Sequence, residues 1–379
     1  MRVAILGQFP IDLTKLGGVE VAIVYLMDTL HSVGVDELHI ITCRTDVSAA
    51  RTASIRNATV HYLPRRHQGR LTWHLRETRC MQALLRALRP DIVHGHSTGL
   101  YAGAALGSGF PNVITAHGIV AREVSMYKGT AMRLRGLIDV LYERYCLARA
   151  KDIIAISPYV QNVFQSLTPA HFHLVENAVD ESFFSLSPQP QPGRILLAGA
   201  VIERKGLIPL VKALAWVKQN QAKVELRIAG GTPDPHYYRS LLQLIEGLGL
   251  SDNVCFLGQL DQERLLDEYA HCSIFVLPSF QETAPMAVQQ ALAAGVPVVG
   301  TPVGGMPWLV RDGETGLLVE TGNSEALAAA ITKLLADDRV RARMARQGRE
   351  DARARFKPQV VAEKTKAVYD EVLARARGC

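Results

Sequence analysis

No apolar run in this 379-residue sequence approaches the length of a membrane span. Apolar runs such as 274–277 and 296–299 are as short as a β-strand, whereas a spanning helix needs about 18 apolar residues. The first ten residues also lack the long apolar region and the small-residue cleavage site of a signal peptide. We therefore expect a buried strand at the N-terminus and no transmembrane helix.

Cysteine patterns typical of metal sites or disulfide scaffolds are missing as well. The six cysteines are scattered along the chain, and none belongs to a CxxC pair or to a Cys/His cluster. This spacing argues against a zinc site and against a disulfide framework. A reducing cytoplasm is the compartment that fits best, and we expect no metal in the functional site.

Neither charge sign dominates the chain, whose formal net charge is +6, but the distribution is uneven. Residues 65–149 contain 13 Lys and Arg against five Asp and Glu. This excess fits either a solvated helical face or attraction to an anionic membrane surface or a phosphorylated acceptor. Nucleic acid is disfavoured, because aromatic residues make up only 6% of the chain and no recognised binding motif is present.

Short apolar strands alternate with helices in both halves of the chain. RVAILG, LHIITC, DIVHGH, NVITAH and DIIAIS predict strands in the first half, with helical stretches between them. The proline-rich run 185–193 predicts a linker, after which the alternation restarts. The pattern predicts an α/β protein with two Rossmann-like, doubly wound domains that face a cleft, covering 1–185 and 186–355. A C-terminal helix over 356–379 is expected to pack back on the first domain.

The richest segment for chemistry is 278–319, PSFQETAPMAVQQALAAGVPVVGTPVGGMPWLVRDGETGLLV. Glu282 follows an apolar strand, and a helix is predicted to begin a few residues later. A carboxylate and free backbone N–H groups then share one position, where they suit sugar hydroxyls and phosphate oxygens. Gln290 lies eight residues further on, about two helical turns away, and so faces a similar direction. A carboxylate that merely caps its own helix is the alternative.

This segment resembles the E-x7-E donor motif of the family-4 retaining glycosyltransferases, which have the GT-B fold. The AAG-x-PVV strand and the GG…DG-x-TGLLV loop of that family follow in order. The resemblance implies that Glu282 contacts the donor sugar and that position 290 binds the ribose hydroxyls. The sequence departs from the family at Gln290, which gives up charge-assisted hydrogen bonds, at Pro285, which removes an N–H donor, and at Trp308.

A second signal is GAVIERKGLIPLVKAL, in which a basic loop connects a strand to a helix. Lys205 and Arg204, with the N–H groups of the helix, suit a diphosphate, and neutralising that leaving group lowers the barrier to sugar transfer. The family usually shows G-R-L-x-x-x-K-G here. This chain keeps Lys205 and Gly206 but has Ala200 in place of the arginine, so Arg204 is expected to supply that charge. A solvated loop is the alternative.

The N-terminal half resembles the family at scattered points. LGGVE, residues 16–20, resembles the GG-x-E loop that contacts donor phosphate or acceptor, although Gly17 and Gly18 could equally form a tight turn. The surrounding loop lacks the GxGxxG dinucleotide fingerprint. The resemblance implies that His117, in TAHG, approaches the donor sugar. His94 and His96 lie at another strand end, where they either line the acceptor side or are structural.

The resemblance implies a hexosyltransferase that moves a sugar from a UDP- or GDP-sugar to a glycan, lipid-linked or small-molecule hydroxyl, with retention of configuration. The first domain would bind the acceptor and the second the donor. No cofactor or metal is expected, and the partners are the nucleotide sugar and an unidentified acceptor. The excess of positive charge is compatible with peripheral contact with an anionic membrane. A sugar-nucleotide epimerase or a non-catalytic nucleotide-sugar-binding protein are the alternatives.

The resemblance gives two sets of site residues. The catalytic residues are Glu282, His117 and Lys205. The donor-binding residues are Gly17, Gly18, Arg204, Lys205, Gly258, Thr283, Ala284, Pro285, Met286 and Gln290.

Overall fold

The computed structural model describes residues 1–13, 17–65, 72–126, 129–221 and 223–378. The strands are β1 Arg2–Leu6, β2 Glu37–Arg44, β3 Arg51–Ile55, β4 Ala58–Pro64, β5 Ile92–His96, β6 Asn112–Ala116, β7 Asp152–Ala155, β8 His171–Leu174, β9 Arg194–Ala198, β10 Glu225–Ala229, β11 Val254–Gly258, β12 Ile274–Leu277, β13 Val298–Gly300 and β14 Gly316–Leu318. The helices are α1 Gly18–Leu30, α2 Leu75–Leu88, α3 Leu100–Leu106, α4 Val120–Val124, α5 Thr130–Arg149, α6 Pro158–Phe164, α7 Glu181–Ser185, α8 Leu207–Asn220, α9 Pro235–Gly247, α10 Gln262–His271, α11 Met286–Ala294, α12 Met306–Leu309, α13 Ser324–Ala336, α14 Asp338–Phe356 and α15 Pro358–Arg377.

The chain divides into two compact units. The first contains residues 1–11, 16–178 and 358–379, and the second contains residues 12–15 and 179–357. Each unit has its own sheet, and helices connect the parallel strands. The α/β class with two Rossmann-like sheets, predicted from the alternating apolar strands, is confirmed.

The sheet of the first unit has the order β3-β4-β2-β1-β5-β6-β7-β8. Strand β1 is central and pairs in parallel with β2 and β5, and Val3 to Leu6 are fully buried. The order reverses direction between β1 and β5, which is the switch point of a doubly wound sheet. The alternation of apolar strands and helices in the sequence did not predict β3. This strand runs antiparallel to β4 at the edge of the sheet and is largely exposed.

The C-terminal helix α15 belongs to the first unit and packs against α1. Its apolar face carries Val361, Val368, Val372 and the fully buried Tyr369 into that unit. Pro358 begins the helix directly after Lys357, where α14 has ended, because proline suits the first turn of a helix but not its interior.

The sheet of the second unit is parallel throughout its named strands, in the order β11-β10-β9-β12-β13-β14. Strands β9 and β12 are adjacent, with Ile195 opposite Ile274, and the direction of winding reverses between them. Their apolar residues are buried on both faces, as expected for strands covered by helices on each side. The loops that leave the carboxyl ends of β9 and β12 therefore emerge at the switch point.

Within the described ranges, every helix is too short or too polar to cross a bilayer.

Candidate functional site

The switch point of the second unit brings together the loops that follow β9 and β12. In doubly wound sheets, ligands bind outside the carboxyl ends of the strands at this position. The loop after β9 runs through a short 3-10 helix, Glu203–Lys205, before α8 begins, and the loop after β12 contains Glu282. The two sequence segments predicted to bind the donor thus lie side by side in the fold.

Glu282 is the centre of a hydrogen-bonded cluster in the second unit. Its side chain is almost completely buried, and its Oε1 accepts hydrogen bonds from Lys205 Nζ at 2.6 Å and from Ser279 Oγ at 2.7 Å. Its Oε2 lies 3.5 Å from an Arg204 guanidinium nitrogen. Two cations and one hydroxyl therefore surround a single carboxylate. This satisfies the charge that burial would otherwise penalise, and it leaves the cluster with an excess of positive charge.

Backbone contacts hold the two loops of this cluster in place. The Phe280 N–H donates to the Arg204 carbonyl at 2.8 Å, and Arg204 in turn donates to the Gln281 carbonyl at 2.8 Å. Gly206 adopts a left-handed conformation with φ of +69°, and a Cβ atom there would lie 2.0 Å from the Pro278 carbonyl oxygen. Only glycine fits both the conformation and the close approach, so the glycine that follows Lys205 lets the loops meet.

Ser279 also belongs to this site, although the sequence pattern did not indicate it. The residue is fully buried, its hydroxyl binds Glu282, and its carbonyl accepts a hydrogen bond from Thr301 Oγ1. Ser279 thereby connects the carboxylate to the end of β13. The available signal was a small polar residue directly after an apolar strand and three positions before the carboxylate.

Thr283, Ala284 and Pro285 form the buried connection from Glu282 to α11, which begins at Met286. No side chain caps this helix, and its N-cap residue is Pro285. The N–H groups of Met286 and Ala287 have no acceptor within the helix and lie a few residues from the Glu282 cluster, whereas the Val288 N–H donates to the Pro285 carbonyl at 3.1 Å. The alternative that Glu282 caps its own helix is therefore not what the structure shows, because the carboxylate binds Lys205 and Ser279 instead.

Gln290 lies on α11 with its side chain buried. Its Oε1 is 3.4 Å from the hydroxyl of Tyr269, which also donates to the Ala287 carbonyl at 2.9 Å. The shorter of these two contacts is the better hydrogen bond, so the Gln290 amide is held only weakly.

Gly258 ends β11 in a left-handed conformation with φ of +69°, and its carbonyl accepts from the Gly230 N–H at 2.7 Å. A Cβ atom at position 258 would meet no atom within 4 Å. Glycine is therefore favoured there by the left-handed backbone conformation and not by a lack of space. The site residue predicted here lies at the carboxyl end of a strand in the second unit, as Lys205 and Glu282 do.

Gly17 and Gly18 lie in the first unit, at the N-terminus of α1, whereas Leu16 lies outside the described residues. Gly17 is extended, with φ of −86°, and its N–H donates to Glu20 at 2.7 Å. A Cβ atom on Gly18 would meet nothing within 4 Å. A left-handed turn is therefore not the reason for glycine at these two positions, and no described atom crowds Gly18 at the start of the helix.

His117 follows β6 in the first unit and belongs to a group of three histidines. Its Nε2 lies 2.8 Å from His96 Nδ1, and the two rings are stacked. His94 is hydrogen-bonded through Nδ1 to the Tyr369 hydroxyl at 2.7 Å and through Nε2 to Thr115 Oγ1 at 2.6 Å. His94 and His96 are two residues apart on β5 and therefore point to the same face of the sheet.

Burial keeps these three imidazoles neutral. It lowers the pKa of His94 to about 3 and that of His117 to about 4, and it holds the pKa of His96 well below its usual value. His96 Nε2 has no hydrogen-bond partner among the described atoms, and it borders a cavity of about 20 Å³, which is room for one water molecule. A neutral His117 can donate or accept a hydrogen bond but does not present a positive charge.

The structure thus brings together Arg204, Lys205 and Glu282 in the second unit. It places His117 with His94 and His96 in the first unit. Gly17, Gly18 and Gly258 occupy chain positions where backbone is exposed, and Gln290 packs beside Tyr269.

Comparison with known proteins agrees with the class that this architecture defines, the two-unit GT-B fold. The model of the glycosyl transferases group 1 matches residues 178–351, and that of the glycosyltransferase family 4 matches residues 16–183. Between them the two models account for most of the chain. The protein belongs to the family-4, group 1 glycosyltransferases, and it is a glycosyltransferase.

Proteins similar to this chain include a named glycosyltransferase and a named synthase. An MMP alpha-(1->4)-mannosyltransferase of Mycolicibacterium hassiacum is 28% identical over 309 residues, which cover 76% of this chain and 72% of the relative. Sucrose-phosphate synthase from Thermosynechococcus elongatus has the same fold, with a TM-score of 0.84, 23% identity, and coverage of 98% of this chain and 99% of the other. The Anabaena protein HepE in complex with UDP-glucose superposes with a TM-score of 0.76 at 19% identity, covering 98% of this chain and all of the other.

Proposed function

We propose that this glycosyltransferase moves a hexosyl group from a UDP- or GDP-sugar to an acceptor hydroxyl, with retention of configuration. The observation that carries the proposal is the cluster of Lys205, Arg204, Ser279 and Glu282 at the switch point of the second unit. Two cations lie beside one carboxylate, so the cluster suits a ligand that is both anionic and rich in hydroxyls. A nucleoside-diphosphate sugar has both properties.

Each charged side chain has a separate task in this proposal. Lys205 and Arg204 hold the diphosphate and neutralise the charge that grows as it departs. Glu282 accepts hydrogen bonds from sugar hydroxyls and so orients the ring, and Ser279 holds the carboxylate in position. The N–H groups at the start of α11 add further donors. Because the lysine and arginine neutralise the leaving group, we expect the reaction to need no metal ion.

The transfer exchanges one bond at the anomeric carbon for another. The bond from the anomeric carbon to the diphosphate oxygen breaks, and its electron pair leaves with the nucleoside diphosphate. The acceptor oxygen forms the new bond on the same face, and its proton passes to the departing phosphate. His117 contacts the sugar as a neutral hydrogen-bonding group, in keeping with its low pKa. The acceptor is a glycan, a lipid-linked or a small-molecule hydroxyl.

A thermal-shift panel of UDP-, GDP- and ADP-sugars tests the donor class, because a ligand of the native state raises its apparent stability. We expect a UDP- or GDP-sugar to raise Tm in the wild-type protein and to raise it much less in Lys205→Ala. No shift with any nucleotide sugar in an otherwise folded preparation would contradict the proposal. Incubation of the wild-type protein with UDP-glucose and no acceptor separates transfer from epimerisation, since only an epimerase releases the free epimer.

We also propose that the first unit makes peripheral contact with an anionic membrane. Leu134, Leu137, Leu141 and Tyr145 recur at helical spacing on α5, and each is between 42% and 66% exposed. Arginines at 133, 135, 144 and 149 lie on the same helix. An exposed apolar stripe with neighbouring cations suits the headgroup region of an anionic bilayer. Most of the basic run 65–70 lies outside the described residues.

Co-sedimentation with liposomes tests this contact. Vesicles with anionic lipid should retain the wild-type protein better than neutral vesicles, and the pair Leu137→Ser and Leu141→Ser should reduce retention. Leu242→Ser, at an exposed leucine of the second unit, is the matched control. Equal retention by anionic and neutral vesicles would rule out the electrostatic part of the proposal.

A further inference from the structure

Two histidines and a glutamate meet at the edge of the first unit, away from the groups described above. His171 and His173 are alternate residues of the edge strand β8 and so point to one face of the sheet. Glu371, on α15, lies against them. Its carboxylate oxygens are 3.8 Å from His171 Nε2 and 3.6 Å from His173 Nδ1. One ligand atom from each of the three residues falls within 4.8 Å of the others.

A buried carboxylate orients one of these histidines. His173 Nε2 lies 2.9 Å from Asp152 Oδ1, and both side chains are buried. An ionised carboxylate can only accept, so the Nε2 of His173 carries the proton and donates it. The neutral ring then has its lone pair on Nδ1, which faces Glu371 at a distance too long for a hydrogen bond. A carboxylate behind a histidine is the arrangement that fixes the tautomer and raises the basicity of metal-binding imidazoles.

The distances are close to those of a tetrahedral metal site. With metal–ligand bonds of about 2.1 Å, neighbouring ligand atoms of a tetrahedron are roughly 3.4 Å apart. The two histidine–glutamate separations exceed this value by a few tenths of an ångström. The side chains of His171 and Glu371 are about half exposed and can make that adjustment, whereas His173 and Asp152 form the buried, fixed part. Solvent can supply a fourth ligand.

The chemistry of the donors selects the kind of ion. Two imidazoles and one carboxylate suit Zn²⁺ and similar divalent transition metals, whereas Mg²⁺ and Ca²⁺ prefer oxygen ligands. Arg375 pairs with Asp152 and lies 3.8 Å from Glu371, so it is the cation that a metal would displace from Glu371. Arg375 can keep its pairing with Asp152 when this happens.

We propose that His171, His173 and Glu371 bind one divalent transition-metal ion of the zinc type, with Asp152 as the outer carboxylate. The ion connects the edge strand β8 to the C-terminal helix α15 and thereby fastens that helix to the first unit. Tyr369 lies two residues before Glu371 on the same helix, and its hydroxyl is hydrogen-bonded to His94. The site is structural and takes no part in sugar transfer.

Metal titration of the tag-free, full-length protein tests this site. After removal of metal with EDTA and gel filtration, Zn²⁺ is titrated by calorimetry, and Co²⁺ by its visible absorption. We expect one tight Zn²⁺ per chain, intense tetrahedral Co²⁺ bands, and a higher Tm with Zn²⁺ than with EDTA. His171→Ala removes an exposed ligand without disturbing the core, and it should weaken binding at least about tenfold, as should Glu371→Gln.

His236→Ala removes an exposed histidine of the second unit and is the matched control, with binding expected to equal that of the wild type. Lack of a stoichiometric Zn²⁺ site in the wild type, or equal affinity in wild type and His171→Ala, would overturn the proposal. Weak binding of several ions that all three variants share would also overturn it. Transferase activity of His171→Ala in EDTA should match that of the wild type in EDTA.

Discussion

The clusters around Glu282 and His117 lie at the carboxyl ends of strands in their own sheets, yet their electrostatics are opposite. Glu282 is buried with two cations and a hydroxyl, so its own charge is compensated and the cluster as a whole keeps an excess of positive charge. His117 is partly buried beside the fully buried His94 and His96, and the low pKa values leave that cluster neutral. Of these two clusters, only the one around Glu282, where the diphosphate is proposed to bind, contains formal charges, whereas the histidine cluster offers hydrogen bonds without charge.

Removal of the carboxylate should have the largest effect on activity. Glu282→Ala removes the proposed sugar contact and leaves Lys205 and Ser279 without their shared acceptor. Losing a buried, charge-assisted interaction costs about 3 kcal/mol, so kcat/KM should fall by roughly 100-fold or more. Steady-state transfer assays on folded protein measure this. Glu246→Ala, at an exposed carboxylate of α9, should be near wild type, and equal activity of the two variants would refute the role of Glu282.

Acidification should destabilise the protein through the histidine cluster. The folded pKa values of His94 and His117 are about 3 and about 4, below the ordinary value of 6.5. As the pH falls below 6.5, these histidines become protonated in the unfolded chain but stay neutral in the folded chain. Each such histidine therefore removes up to about 1.4 kcal/mol of stability per pH unit down to its folded pKa. Above pH 7.5 these histidines are neutral in both states, so their contribution to the free energy of unfolding is at its maximum and no longer changes with pH.

Tm measured between pH 7.5 and 5.5 checks this expectation. His117→Asn should flatten the slope because it removes one of the suppressed titrations. Identical slopes for the variant and the wild type, or an NMR titration of His117 near pH 6.5, would show that the imidazole is not held neutral.

Replacing His117 should reduce activity less than replacing Glu282. A hydrogen bond between neutral groups contributes about 1 kcal/mol, which corresponds to a loss of roughly five- to tenfold in kcat/KM for His117→Ala. Parallel assays of the two alanine variants give the comparison directly. A loss in His117→Ala as large as that in Glu282→Ala would mean that the histidine acts as more than a neutral contact.

Restoring a glutamate at position 290 should have the smallest effect. The family resemblance implies that this position binds ribose hydroxyls, and Gln290 here is held weakly beside Tyr269. Gln290→Glu would add a charge-assisted acceptor, and we expect nucleotide affinity to rise a few-fold. Calorimetry with UDP and GDP measures the change. Unchanged or weaker binding would indicate that position 290 does not contact the ribose.

Much of the fold follows from local patterns in the sequence. Buried parallel strands such as β1, β9 and β12 are short apolar runs bounded by polar or glycine residues, and these were predictable. Strand β3 was not, because an exposed edge strand has no continuous apolar signal. The position of Glu282 after its strand was also predictable, since it depends only on the local order of strand and helix.

Contacts between residues that are distant in the sequence could not be predicted. The ion pair of Lys205 with Glu282 joins residues 77 positions apart, and the pairing of His94 with Tyr369 joins residues 275 positions apart. Such contacts depend on strand order and on the return of α15 to the first unit. For the same reason, the sequence spacing did not predict that His171 and His173 lie beside Glu371, which is about 200 residues away on α15.

The most direct test of the central claim is nucleotide binding to wild type, Lys205→Ala and His117→Ala. If the second unit holds the diphosphate through its cations, the affinity for UDP or GDP should fall at least about tenfold in Lys205→Ala. His117→Ala should bind the nucleotide as the wild type does, because the free nucleotide lacks the sugar that His117 is proposed to contact. Calorimetry that shows equal affinity in wild type and in a folded Lys205→Ala would contradict the account.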